Sequence, residues 1–390
     1  MLQIQTLNKI SKLGLDLLDK TLFSVSDNTP SPDAILVRSA SLHDIVFNPE
    51  LKAIGRAGAG VNNIPTEKCT QNNVVVFNTP GANANAVKEI VLGTMFMASR
   101  NLLKGSEFSQ SLDSLTNDQD IHHHVEDQKS KFKGFELQGK RLGVIGLGSI
   151  GMMVANASTA LGMDVDGYDP FISVRHAWAL SRSVGHCESI NKLLAHSDFI
   201  TVHVSLTADT KGLMNKDAFA KMKKGAILLN FARAEIVDEG DLLDALESGH
   251  LGGYVCDFPT KRVMRHPKII VLPHLGASTR EAEDNCAIMI AEQISDYLIN
   301  GNIVNSVNFP NCTLERIGDA RVVIANKNIP NMVGQISAVL ASEGLNIVEM
   351  VNKSRGDIAY NIVDVTGPIS ESLIKNITNI NGIMFARLIV

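Results

Sequence analysis

Aromatic residues are scarce. Phe, Tyr and Trp make up 5% of the 390 residues, with a single Trp. A chain this poor in flat rings has few platforms on which single-stranded bases can stack, which argues against that class of nucleic-acid binder. Positive charge is not in excess either. Lys and Arg number 36 against 41 Asp and Glu, a formal net charge of −5. Nothing therefore draws the whole chain to nucleic acid or to an anionic membrane. The five cysteines, at 69, 187, 256, 286 and 312, are odd in number and include no C-x-x-C pair. They read as free thiols of a reducing cytosol, and no metal site is expected. There is no run of about 18 apolar residues, so no membrane span is expected. Polar residues break every apolar run of the first twenty residues, which do not read as a signal peptide. The expected location is cytoplasmic. With 45% hydrophobic and 20% charged residues the composition is that of a globular protein, and the length suggests two or three domains.

Short apolar runs bounded by turn residues mark buried strands at 34–38 (A-I-L-V-R) and 74–77 (V-V-V-F), and residues 51–60 read as a strand entering a Gly-rich turn. A helix is expected from about Pro80-Gly81 to Arg100, because Val87, Ile90, Val91 and Thr94 recur at helical spacing. Residues 112–138 are polar, and their His122-His123-His124 triplet reads as a solvated stretch rather than a metal site. From 141 onward, apolar strands at 142–145, 165–168, 199–204, 226–231, 253–257 and 269–272 alternate with helical stretches, the rhythm of a doubly wound parallel sheet. A helix is expected over 279–298 and a linker over 301–318. The tail from 319 reads as βαββαβ.

The motif Gly146-Leu147-Gly148-Ser149-Ile150-Gly151 follows the strand L-G-V-I and opens a helix, the context a dinucleotide-binding turn requires. The first glycine permits the turn, the second lets backbone approach a pyrophosphate, and the third lets helix and strand pack closely. The helix N-terminus offers free N–H groups to the phosphates. Asp169 ends the next strand, 18 positions after Gly151, where a carboxylate accepts from ribose hydroxyls and repels a 2′-phosphate. That favours NAD; the alternative is a turn-forming Asp before Pro170. Arg233, Asp257 and His274 also follow predicted strands, at the end of the sheet where ligands bind. A guanidinium fork suits a carboxylate or a C2 oxygen. An imidazole suits the proton transfer that accompanies hydride transfer.

Together with Leu36-Val37-Arg38-Ser39, residues 55–64 (G-R-A-G-A-G-V-N-N-I), Thr79-Pro80-Gly81-Ala82-Asn83, residues 230–235 (N-F-A-R-A-E) and residues 273–279 (P-H-L-G-A-S-T), these features resemble the D-2-hydroxyacid dehydrogenases over nearly the whole chain. The resemblance is nearest to the members that oxidise 3-phosphoglycerate. It implies a substrate domain of residues 1–83 and 277–318, an inserted NAD domain of 84–276, and a regulatory domain of 319–390 similar to ACT domains. It implies Arg233 and His274 as catalytic residues. Gly146, Gly148, Ser149, Ile150, Gly151, Asp169, His203 and Asp257 would meet NAD. Backbone N–H groups at Ala59, Gly60 and Val61 would cradle the substrate carboxylate, and Arg38, Ser39, Arg56 and Arg100 would meet its phosphate. Asn328 and Asn346 match effector positions of serine-regulated relatives. A homodimer or higher homo-oligomer is implied, with no nucleic-acid or membrane partner.

The chain departs from the family pattern in four places. Arg262 stands where a Glu that bonds the catalytic His is usual, Ala234 where Gly is usual, Ser205 where Pro is usual, and Asn326 where serine-regulated relatives carry an effector-binding His. Two other readings stay open: a family member acting on glyoxylate, hydroxypyruvate or 2-oxoglutarate, and a non-catalytic NAD-sensing protein.

Overall fold

The computed structural model describes residues 1–390. The chain divides into two compact units, one of residues 1–83 with 280–390 and the other of residues 84–279. The tail, expected as a regulatory domain of 319–390, falls within the first of these units.

The first unit opens with a parallel sheet of β1 (Leu2–Leu7), β2 (Phe23–Ser26), β3 (Ala34–Val37), β4 (Ala53–Arg56) and β5 (Val75–Phe77), in the order β2-β1-β3-β4-β5. The sequence reading missed β1 and β2. The 21-residue helix Arg280–Asn300 packs on this sheet. It approaches so closely that a Cβ on Gly55 would lie 2.7 Å from Ile290 Cγ1. Ile290, Ile294 and Tyr297 are fully or almost fully buried along it, and a side chain of that kind contributes roughly 1.5–3 kcal/mol when removed from water.

The second unit carries β6 (Arg141–Ile145), β7 (Asp164–Tyr168), β8 (Val184–His186), β9 (Phe199–Val202), β10 (Ile227–Asn230), β11 (Gly253–Cys256) and β12 (Ile269–Val271). All pairings are parallel and the order is β12-β11-β10-β9-β6-β7-β8. The order reverses at β6, which places the Gly-rich turn at the switch point where a doubly wound sheet binds ligands. Residues 112–138 are not irregular: they include the helix Asp118–Gln128, on which His122, His123 and His124 are all exposed.

The tail forms an antiparallel sheet of β13 (Ala320–Lys327), β14 (Asn346–Arg355), β15 (Ile358–Thr366) and β16 (Ile383–Ile389), in the order β14-β15-β13-β16. With helices Met332–Ser342 and Leu373–Thr378 the element order is βαββαβ. Alternation divides the strands between two cores. Val322, Ile324, Val363 and Val365 pack with the tail's own helices. Val323, Ala325, Tyr360 and Ile362 join the core around the Arg280–Asn300 helix.

The tail also closes the end of that helix. Its last carbonyls have no intrahelical partner. Arg387 donates to Tyr297 O (2.6 Å), Arg321 to Asn300 O (3.0 Å) and the Tyr360 hydroxyl to Gly301 O (2.8 Å). Arg321 is fully buried and makes a bidentate pair with buried Asp364 at 2.6 and 2.9 Å. Its remaining nitrogen also donates to Leu314 O. Residues 301–318 are accordingly no loose linker. Phe309 is fully buried, and Asn308 accepts from Val76 N while donating to Val74 O, covering the β5 edge.

Candidate active site

In the second unit, six chain segments leave the strands at one edge of the sheet. The Gly146 turn follows β6, Asp169 β7, His203 β9, Arg233 β10, Asp257 β11 and His274 β12. Gly146 has φ +89, in the region that favours glycine, and a Cβ there would lie 2.6 Å from His203 O. A Cβ on Gly151 would sit 1.9 Å from Gly146 O, whereas one on Gly148 would meet nothing. The middle glycine thus leaves its backbone open to a ligand, and the third permits the helix Ser149–Ala160 to start against the strand. Ile150 follows Ser149 in the first turn of this helix.

Asp169 is bound into this turn. It accepts from Leu147 N at 2.8 Å and from Phe171 N at 2.9 Å. These bonds are those of the turn-forming reading of Asp169, and each oxygen keeps lone pairs beyond the backbone bond. Asp169→Asn leaves one acceptor oxygen for these two N–H groups, so it loosens the turn and is expected to narrow the preference for NAD over NADP, measured as the ratio of kcat/KM values. An unchanged ratio overturns the ribose role. His203 lies beside Thr201 Oγ1 (2.9 Å), and burial pushes its imidazole down to about 3, so it is uncharged near neutrality.

The turn carrying Arg233 is shaped by a residue whose role the sequence reading did not assign. Buried Asn230 donates to Arg233 O (2.8 Å) and accepts from Ala232 N (3.1 Å). The Arg233 side chain is exposed, with Nη1 donating to Ala232 O. Asp257 organises the His274 turn. Its carbonyl accepts from His274 N (3.0 Å) and its Oδ2 from Gly276 N (2.8 Å). His274 takes φ +51, uncommon for a side-chain-bearing residue, and its ring meets Phe258 edge-on at 5.4 Å. The other Asp257 oxygen, Oδ1, is buried without a hydrogen-bond partner. An orphaned buried acceptor at this edge fits an amide donor such as a nicotinamide carboxamide. With the open Gly148 backbone and Asp169, it makes the residues present fit a dinucleotide.

No carboxylate bonds the His274 ring. Arg262 is 63% exposed and turns to Glu239 instead, with Nη1 3.8 Å from Oε1, while Thr260 donates to the other Glu239 oxygen. Glu239 and Thr260 were not among the residues anticipated; the Arg262–Glu239 pair links residues 23 positions apart (262 − 239) and leaves no local sequence signal. Arg100 stands apart. It ends the helix Ala84–Arg100 next to Gly134, and Val87 near the other end of that helix lies against Gly276. Thirteen helical residues, about 20 Å, therefore separate Arg100 from this edge within one chain.

In the first unit, Arg38 and Ser39 follow β3, and Arg56 ends the adjacent β4. Arg56 Nε donates to Arg38 O at 3.2 Å. Gly58, with φ +153, makes room for the Arg56 guanidinium, since a Cβ there would lie 1.9 Å from Nη1. Asn78 fixes the next turn by donating to Ala59 O (2.6 Å), leaving Gly60 and Val61 half-buried. In the tail, Asn328 donates to Gly356 O in the turn joining β14 to β15. Asn346 begins β14, paired with Thr366 at the far end of β15. The two lie at opposite ends of the sheet, roughly 25 Å apart at strand spacing.

Residues 92–276 match the family model described as D-isomer specific 2-hydroxyacid dehydrogenase, NAD binding domain. The chain is 34% identical to D-3-phosphoglycerate dehydrogenase of Methanocaldococcus jannaschii, over 91% of this chain and 67% of that protein. It is 31% identical to the enzyme of the same name from Synechocystis, over 99% of this chain and 71% of that protein. With the Bacillus subtilis enzyme the identity is 34%, over 77% of this chain but 56% of the relative. The chain thus spans between about half and seven tenths of the length of these relatives. Among solved structures, NAD+-bound 3-phosphoglycerate dehydrogenase of Entamoeba histolytica is similar, with a TM-score of 0.61 and 27% identity over 79% of this chain and 98% of that one. A switch-point Gly turn, an Arg and a His at the ends of two strands that flank β11, and these matches agree: the chain belongs to the D-isomer specific 2-hydroxyacid dehydrogenase family.

Proposed function

We propose that the protein oxidises 3-phosphoglycerate to 3-phosphohydroxypyruvate with NAD, the entry step to serine. The observation that carries this reading is the gathering of the Gly turn, Arg233, Asp257 and His274 at one strand edge. The names of the relatives point the same way. NAD, when bound, supplies the acceptor for the C2 hydride. The Gly146–Gly151 turn, with Ser149 and Ile150 at the helix start, holds the pyrophosphate. Asp169 takes the ribose hydroxyls, His203 offers an uncharged wall, and Asp257 Oδ1 accepts from the carboxamide. His274 takes the proton from the C2 hydroxyl as the C2–H bond breaks. Arg233 holds the carboxylate and the C2 oxygen, whose carbonyl character grows as hydride leaves. Ala59, Gly60 and Val61 offer N–H groups to the carboxylate, and Arg38, Ser39 and Arg56 bind the phosphate.

The tail is proposed as an ACT-like sensor of an amino acid such as serine. One ligand cannot touch Asn328 and Asn346 of a single chain, so the effector would sit between two copies, in keeping with a homodimer or larger homo-oligomer. An assay for NADH formation with 3-phosphoglycerate tests the main reading, and no turnover overturns it. The bare His274 ring favours one competitor, a non-catalytic NAD sensor, and that result would support it. Arg38→Ala is expected to raise KM for 3-phosphoglycerate about tenfold, the loss of one charge-assisted bond. KM for D-glycerate, which lacks the phosphate, should move little. Equal changes count against a phosphate role for Arg38.

A further inference from the structure

Arg38 is already engaged by an anion of the chain itself. Its Nη1 lies 2.6 Å from Glu283 Oε1, with side-chain exposures of 33% and 46%. Glu283 stands in the first turn of the helix Arg280–Asn300, and Cys286 one turn on is buried. Burial is the main influence raising the Cys286 thiol, but Arg56, Arg38 and Glu283 all act on it electrostatically. Two guanidinium groups and one carboxylate therefore share a small neighbourhood that solvent reaches. The simplest role for Glu283 is to favour the helix N-terminus, yet its carboxylate occupies the donor that a phosphate oxygen needs.

We propose that Glu283 is a specificity-determining residue that competes with the phosphoryl group of the substrate for Arg38. The inference rests on the phosphate-binding role given above to Arg38. An incoming dianion must displace the carboxylate or bind beside it and be repelled; either way Glu283 weakens capture of phosphorylated ligands and eases their release. An unphosphorylated hydroxy acid does not meet Arg38 and is indifferent to it. The half-exposed pair is of the kind that contributes at most about 1 kcal/mol, which a dianion can overcome.

Steady-state kinetics of the full-length Glu283→Gln protein test this. KM for 3-phosphoglycerate is expected to fall about two- to fivefold, the equivalent of such a pair. The inhibition constant of inorganic phosphate should fall with it, and KM for D-glycerate should stay within error of wild type. Glu283→Ala should lower KM for 3-phosphoglycerate and the phosphate inhibition constant in the same way and again leave KM for D-glycerate unchanged. A KM for 3-phosphoglycerate that is unchanged or raised overturns the proposal, since Glu283 would then merely hold Arg38 in position. An equal fall for both substrates overturns it too. The underlying phosphate reading fails by a different sign, an Arg38→Ala variant that affects both substrates alike.

Discussion

Replacing His274 by Asn is expected to lower kcat by about 10²–10⁴-fold, the range lost with a positioned acid–base group. The substitution suits the site because His274 is held through its backbone. Its N–H donates to Asp257 O, and Asn tolerates the left-handed conformation at φ +51. The turn should survive and the proton acceptor disappear. NADH affinity, followed by fluorescence titration, should be nearly unchanged, because the imidazole acts on the substrate. Turnover within a few-fold of wild type makes His274 structural. No carboxylate contacts the ring, so the imidazolium formed during turnover lacks the anionic partner that orients and stabilises it in other dyads. A modest wild-type kcat is the corollary.

The second large effect lies far from the chemistry. Arg321→Met is expected to cost about 3–5 kcal/mol of stability, the usual result of leaving one member of a buried ion pair alone. Asp364 would keep only the Ile317 N–H, and Asn300 O and Leu314 O would each lose a donor. Burial alone raises the Asp364 carboxyl, but hydrogen bonds from Arg321 and Ile317 and the arginine charge outweigh it, so it sits below its usual value. A depressed carboxyl contributes stability that is present above the unfolded-state aspartate value, about 3.9, and fades as pH falls through the folded one. Urea unfolding near neutral pH is the measurement. Adding Asp364→Leu to Arg321→Met should recover much of the loss, because an apolar pair can replace a buried ion pair at little cost. A single variant within 1 kcal/mol of wild type shows that water or a neighbour satisfies Asp364.

The sequence was most legible where burial is continuous. Strands β9, β10 and β11 are buried at every residue and read as unbroken apolar runs. β8 was missed because Val184-Gly185-His186 is a short, partly exposed edge strand whose middle residue favours turns. β1 is hard to read although L-Q-I-Q-T-L alternates, because only Ile4 is buried and polar residues interrupt the apolar run. The glycine turn and the strand-end Arg, Asp and His could be placed from sequence, since position along a strand fixes which edge a residue occupies. Pairings could not. Arg38 and Glu283 are 245 positions apart (283 − 38), and Arg321 and Asp364 are 43. The Asn- and Pro-rich composition of residues 301–318 reports backbone preference and not what the side chains reach. Asn308 and Phe309 therefore looked like linker residues while serving as edge cover and core.

The three caps on the Arg280–Asn300 helix bear on how such a chain can change over evolutionary time. Arg321, Tyr360 and Arg387 come from three different strands of the tail, and each serves a carbonyl outside it. A lineage could not discard or exchange the tail as a plug-in cassette. Asn300 O and Gly301 O would lose these donors, Tyr297 O would keep only the Gly301 N–H, and Val323, Ala325, Tyr360 and Ile362 would vanish from a shared core. Any replacement would have to reproduce those donors at the same three points. Substitutions in the tail are thus constrained by the sheet of residues 2–77 as much as by any ligand.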